Sequence, residues 1–170
     1  MRTLLCILIF LATAGCTKEI SYPLEIREFS GNGYLNRTTK GMLITRESKD
    51  SITYTYSSDT LNYDYVFTKI KNDDKRLLYY NLDLLFIDSR IFQIGERKII
   101  VYRFDYDDPT MFDEESSLFY IDNYGVISIK SEAWTHTTLF KKGEQLDNFI
   151  LIELKKDTTG FYGYPAPRNM

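Results

Sequence analysis

The stretch SITYTYS, residues 51–57, sets Ile52, Tyr54 and Tyr56 on one side of an extended chain and Thr53, Thr55 and Ser57 on the other. That period of two belongs to a β-strand with one buried face, and its β-branched and aromatic content suits a pleated surface. The next run, YDYVFTK (63–69), repeats the alternation with Tyr63, Tyr65 and Phe67, and Ser58–Asn62 can turn between the two. Both runs are too short and too strictly alternating for an amphipathic helix.

The same pattern recurs along the chain. LEIREF (24–29) is the first strand-like run. KIIVYRFDY (98–106) groups Ile100, Tyr102, Phe104 and Tyr106 against Ile99, Val101, Arg103 and Asp105, so its second face is expected to be partly covered. SLFYIDNYGVISIKSEAW (117–134) reads as two strands joined at Asp122–Gly125, where Asn123 and Gly125 tolerate positive φ. FILIEL (149–154) is a further apolar run. RLLYYNLDLLFIDSRIF (76–92) fits a strand through Tyr80, Leu82, Leu84 and Phe86, yet Leu77, Tyr80, Leu84 and Ile87 also share a helical face; it is assigned to strand. About eight strands with few helices and no heptads predict an all-β domain, an antiparallel meander forming either a sandwich or a strongly curved half-barrel. The outward faces are too polar for a lipid-facing band, which argues against a membrane-spanning barrel.

The N-terminus has a different character. Arg2 supplies a positive charge, Leu4–Leu11 an apolar run well short of a membrane span, and Thr13, Ala14 and Gly15 the small residues of a cleavage site. The next residue is Cys16. The run TAGC resembles the lipobox of bacterial lipoproteins, in which the cysteine is acylated and becomes the new N-terminus; Thr13 stands where that family usually has Leu. The resemblance covers the first 16 residues. It implies a signal peptide over 1–15, a lipidated Cys16 and attachment to a bacterial outer membrane, on its periplasmic face or the cell surface. Cys6 would leave with the leader, so the mature chain would offer no free thiol for a disulfide, a nucleophile or a metal. Residues 16–23 read as a short tether, 24–160 as a single β domain and 161–170 as an irregular tail, with Phe161, Tyr162 and Tyr164 available to pin it to the body.

The segment FYIDNYGVISIKSEAW is similar to stretches in small envelope lipoproteins of Bacteroidota that carry no assigned function. Phe119, Tyr120, Tyr124, Gly125, Val126, Ile127 and Trp134 carry the likeness. It implies the same address and a β fold, and no activity.

Charge narrows the partners. The chain has 21 basic and 24 acidic side chains; loss of the leader removes Arg2 and leaves 20 against 24, a net −4. That balance gives no electrostatic case for nucleic acid. His136 is the single histidine, in WTHTT, with Ser128 and Ser131 nearby in sequence and no G-x-S-x-G elbow; a solvent-facing strand residue is the expected role rather than catalysis. Asp105, Asp107, Asp108, Asp113, Glu114 and Glu115 crowd six carboxylates into eleven residues. Such a loop could order around calcium, but it lacks EF-hand spacing. Acids in one flexible loop also hold the geometry of glycoside hydrolysis poorly. Fourteen tyrosines and eleven phenylalanines could stack on sugars or fill a core, and their sharing of stripes with Ile52, Leu82 and Phe104 favours the core.

The expectation is therefore a lipid-anchored envelope module that binds a protein or a glycan and needs no cofactor. The alternatives are a lipid or lipoprotein carrier with a half-barrel cavity, and an envelope hydrolase.

Overall fold

The computed structural model describes residues 17–30, 34–60, 62–106, 116–131 and 136–143, with the single positions 148, 152 and 161. Eleven strands follow one another: β1 Lys18–Phe29, β2 Leu35–Glu47, β3 Ser51–Ser57, β4 Tyr65–Ile70, β5 Leu77–Tyr79, β6 Leu82–Asp83, β7 Leu85–Ile94, β8 Arg97–Tyr106, β9 Ser116–Ile121, β10 Gly125–Ser131 and β11 His136–Lys141. All belong to one antiparallel sheet in the order β6-β5-β4-β3-β2-β1-β11-β10-β9-β8-β7, curled into a nearly closed barrel. Of the two expected architectures the curved sheet is the one found, and the sandwich is not.

The order is a meander with its seam displaced. First and last strands pair in mid-sheet, from Glu25↔Lys141 to Phe29↔Thr137. The two free edges, β6 and β7, are consecutive in sequence, with Leu84 between them. Side chains rather than backbone bridge this seam. The Lys75 ammonium sits 5.2 Å from the Phe86 ring centre, and the Tyr79 and Tyr106 rings meet edge-on at 5.7 Å.

Alternation along each strand fills the barrel. Leu24 and Ile26 from β1, Leu43 from β2, Tyr54 and Tyr56 from β3, Phe67 from β4, Phe104 from β8, Tyr120 from β9 and Phe140 from β11 form one buried cluster. Contacts run from wall to wall: the Tyr56 hydroxyl donates to the Val126 carbonyl at 3.0 Å, and the Tyr56 ring lies 4.4 Å from that of Phe140. A tyrosine suits such a place because its ring supplies apolar area while its hydroxyl finds a partner. A second cluster covers the outside of β8–β10, where Val101, Phe119, Ile121, Tyr124 and Ile127 pack with Phe161. The outer face of KIIVYRFDY is thus covered, as its composition predicts. Phe161 is fixed there, with its carbonyl accepting from Arg103 Nη1 at 3.2 Å, so the expected irregular tail begins with a packed residue.

Three readings of the sequence are corrected. The barrel starts at Lys18 instead of Leu24, because residues 18–23, read as tether, pair with β2 from Lys18↔Glu47 onward. Among the described residues β1 has no second neighbour before Glu25, and such an edge position tolerates Pro23. The segment 76–92 is neither one strand nor a helix. It folds back at Tyr80 (φ 52°) and Asn81 into β5 and β6 before continuing as β7. Tyr80 is a bulky residue at positive φ, held by its hydroxyl on the Asp64 carbonyl. Finally, most of FILIEL lies outside the described residues, but Asn148 and Ile152 have helical backbone, contrary to the strand expected there.

Candidate functional site

One end of the barrel gathers the start of β1, the β2–β3 and β4–β5 connections and the β9–β10 turn. It forms a polar mouth. On β4 the inward positions are Tyr65, Phe67 and Lys69, so alternation that fills the core lower down delivers an ammonium at the rim. Lys69 is 3% exposed, and its Nζ donates to the carbonyls of Ile70 at 2.9 Å and of Asp73. The 71–76 connection thereby wraps the lysine. Burial lowers its pKa, with Asp122, Asp74 and Asp73 opposing.

Opposite Lys69, the turn after β9 presents Asp122 and Asn123. Asn123 takes φ 62° and Gly125 φ 102°, as the sequence allows. Gly125 is required for a second reason, since a Cβ there would lie 2.4 Å from the Tyr56 hydroxyl and 2.9 Å from the Tyr54 ring. Ile52, Lys69, Lys71, Asp74, Tyr120, Asp122 and Asn123 enclose about 210 Å³. Tyr102 is pushed up to about 12, first by burial and then by the Asp122 carboxylate. Beyond Lys71, whose Nζ pairs with Glu47 Oε1 at 2.8 Å, a more open groove of about 510 Å³ runs along Thr17, Lys18, Ser48, Lys49 and Asp50. Ammonium, carboxylate, amide and phenol groups around a small hollow can hold a polar group by hydrogen bonds. The placing of Lys69 and Asp122 around one hollow at the mouth was missed in the sequence, although the position of Lys69 on the stripe of Tyr65 and Phe67 was a signal for it.

The residues singled out in the sequence sit elsewhere. His136 opens β11, directly across from Ser131 in register, with its Nε2 3.3 Å from Thr138 Oγ1. Ser128 is fully buried, and its Oγ has no hydrogen-bond partner. The structure brings Ser131 beside His136 and leaves Ser128 opposite Leu139. Asp105 accepts from Ser117 Oγ at 2.8 Å and from Arg103 Nε at 3.2 Å. Asp107, Asp108, Asp113, Glu114 and Glu115 lie outside the described residues, as do Cys16 and Trp134. Among the described residues no group of three His, Cys, Asp or Glu side chains could hold a metal. Phe119 and Ile127 face outward into the second cluster, whereas Tyr120 and Val126 face inward.

Comparison with protein-family models, curated proteins and solved structures found no match to the chain.

Proposed function

We propose that this chain is a lipid-anchored module of a bacterial outer membrane, attached through Cys16, that binds a protein or glycan partner of the envelope and performs no chemistry of its own. The observation that supports an interaction role over a carrier is the filled interior. Tyr54, Tyr56, Phe67, Phe104 and Tyr120 come from different walls and are all 0–1% exposed. A half-barrel carrier needs an apolar concavity of some hundreds of Å³ inside the sheet; among the described residues the interior holds interlocked rings, and the hollow of about 210 Å³ and the open groove of about 510 Å³ lie at the mouth among ammonium and carboxylate groups. Recognition is assigned to the barrel end and the sheet edge. Since β1 begins at Lys18, an acylated Cys16 would hold that end close to the bilayer, with Thr17 alone as spacer.

Native mass spectrometry of the protein extracted from its own membranes tests the reading. A chain beginning at Cys16 with acyl groups and a stoichiometric protein or glycan is expected. A co-purifying lipid in place of such a partner would favour the carrier. A Cys16→Ser variant that still fractionates with membranes would refute the anchor.

A further inference from the structure

The β7–β8 hairpin outruns the barrel. β9 pairs with β8 only from Tyr102 to Tyr106, so Arg90–Ile94 and Arg97–Val101 continue as a two-stranded ribbon. Among the described residues, β7 pairs with β8 and with no other strand. A ten-residue edge strand of this kind is a template for pairing, and native proteins usually protect it with charge, a bulge or a cover. This one has a bulge between Phe86 and Asp88 and the charges of Asp88 and Arg90, yet it still carries Leu85, Ile87 and Ile91 exposed, with Ile91 at 66%, and Ile100 exposed beside Ile91 on the neighbouring strand. One face of the ribbon is packed, with Phe92, Ile94 and Ile99 against the cluster of Val101 and Phe161, while its outer edge has no strand beside it among the described residues.

The sequence of that edge is self-complementary. Residues 86–92 read FIDSRIF, a palindrome about Ser89 in which Asp88 mirrors Arg90. If two copies of β7 pair antiparallel about Ser89, Ile87 opposes Ile91 of the second copy, and Asp88 opposes its Arg90. Asp88 and Arg90 share one face, their β8 partners being Arg103 and Val101, and within one copy Arg90 Nε already lies 3.3 Å from Asp88 Oδ2. Two such pairs side by side would form a four-membered network of alternating charge. The bulge between Phe86 and Asp88 ends the match. With Ile87 as its extra residue, it sends Phe86 inward against Phe104 while Phe92 lies outward near Phe161, so the regular matching core is Asp88–Arg90, flanked by Ile87 and Ile91.

We propose that the partner of this edge is a second copy of the chain, paired through β7 about a two-fold axis at Ser89 to give a continuous β8-β7-β7-β8 sheet. A two-fold contact places the same patch on both subunits, and the charge pattern specifies antiparallel register about one residue. The proposal goes beyond the binding role given above and does not depend on the anchor.

The test uses the full chain in non-ionic detergent. Native mass spectrometry is expected to give a dimer, and Ser89→Cys, made in a background with Cys6 and Cys16 replaced by serine, to trap it as a disulfide on mild oxidation. Asp88→Arg or Arg90→Asp should each lower the dimer fraction about tenfold by setting like charges face to face. The double variant Asp88→Arg/Arg90→Asp should restore it; because Asp88 also faces Arg103 and Arg90 covers Phe161 within one copy, a thermal melt of each variant accompanies the mass measurement and separates lost pairing from lost folding. A monomeric unmodified chain, a dimer indifferent to either reversal, failure to recover in a double variant that melts like the unmodified chain, or a different protein occupying β7 would each overturn the proposal.

Discussion

The hydroxyls of Tyr54 and Tyr120 lie 3.3 Å apart in the barrel interior, brought from opposite walls by strands 66 residues apart in the chain. Their rings meet edge-on with centres 5.9 Å apart. This contact joins β3 to β9, which no backbone ladder connects. Replacing either hydroxyl by hydrogen leaves the other buried without this partner, and Tyr54→Phe or Tyr120→Phe should each lower stability by about 1–2 kcal/mol. The double variant should lose less than the sum. Denaturant melts of the three variants would read the coupling directly.

Alkali should unfold this barrel cooperatively. Burial is the leading cause that raises the pKa of Tyr54, Tyr56, Tyr65, Tyr102 and Tyr120. For a raised acid the unfolded chain ionises first, so stability is intact below about pH 10 and falls as pH rises toward the folded values. Each such tyrosine contributes a slope of about 1.4 kcal/mol per pH unit in that window. Lys69 and Lys141 have the opposite sign, because burial lowers their pKa and stability rises with pH up to about 10.5. Five tyrosines outweigh two lysines. Tyrosinate absorbance and circular dichroism followed together above pH 10 should show a late group of tyrosines titrating with loss of the fold.

Gly125→Ala is expected to destabilise by about 2–4 kcal/mol, from positive φ and from a Cβ driven into Tyr56 and Tyr54. Gly95→Ala meets open space, so it carries the φ +58° strain alone and should lose about 1 kcal/mol. Thermal melts of the two variants compare strain with strain plus collision.

Phe161→Ala should detach the C-terminal segment from β8–β10. Phe161 lies against Phe119 at 5.7 Å and beneath the Arg90 guanidinium at 5.2 Å, so the loss is expected at about 3 kcal/mol. Limited proteolysis should then cut the segment after β11 earlier than in the unaltered chain, while the barrel core stays resistant.

Much of the barrel could be read locally. SITYTYS became β3 with the same bounds, and the Asn123–Gly125 turn holds the positive φ values that its residues permit. The stripes of Tyr54 with Tyr56 and of Tyr102 with Phe104 proved to be core, whereas Tyr63 and the stripe of Tyr80 and Leu82 are exposed. Other features were hidden for physical reasons. β2 carries Arg37, Lys40 and Arg46 among small and apolar residues, so its period was blurred, although it pairs on both sides. The chain reversal at Tyr80 relies on a hydroxyl bond to Asp64, sixteen residues away. The mouth needs Lys69 and Asp122 from strands on opposite walls, which no local pattern records.

The mid-sheet meeting of β1 and β11 sets a schedule for the molecule's birth. Residues 18–83 and 85–141 each fold as a run of neighbouring hairpins, yet the wall between them closes only when Thr137–Lys141 reaches Glu25–Phe29. Contacts so remote in sequence form slowly, since a long loop must be ordered before they give anything back. A chain threaded outward from its first residue would therefore hold β1 with one flank unmatched until nearly all the rest had emerged. Such a clasp leaves the newborn protein open along one wall, and makes it secure once the last strand arrives.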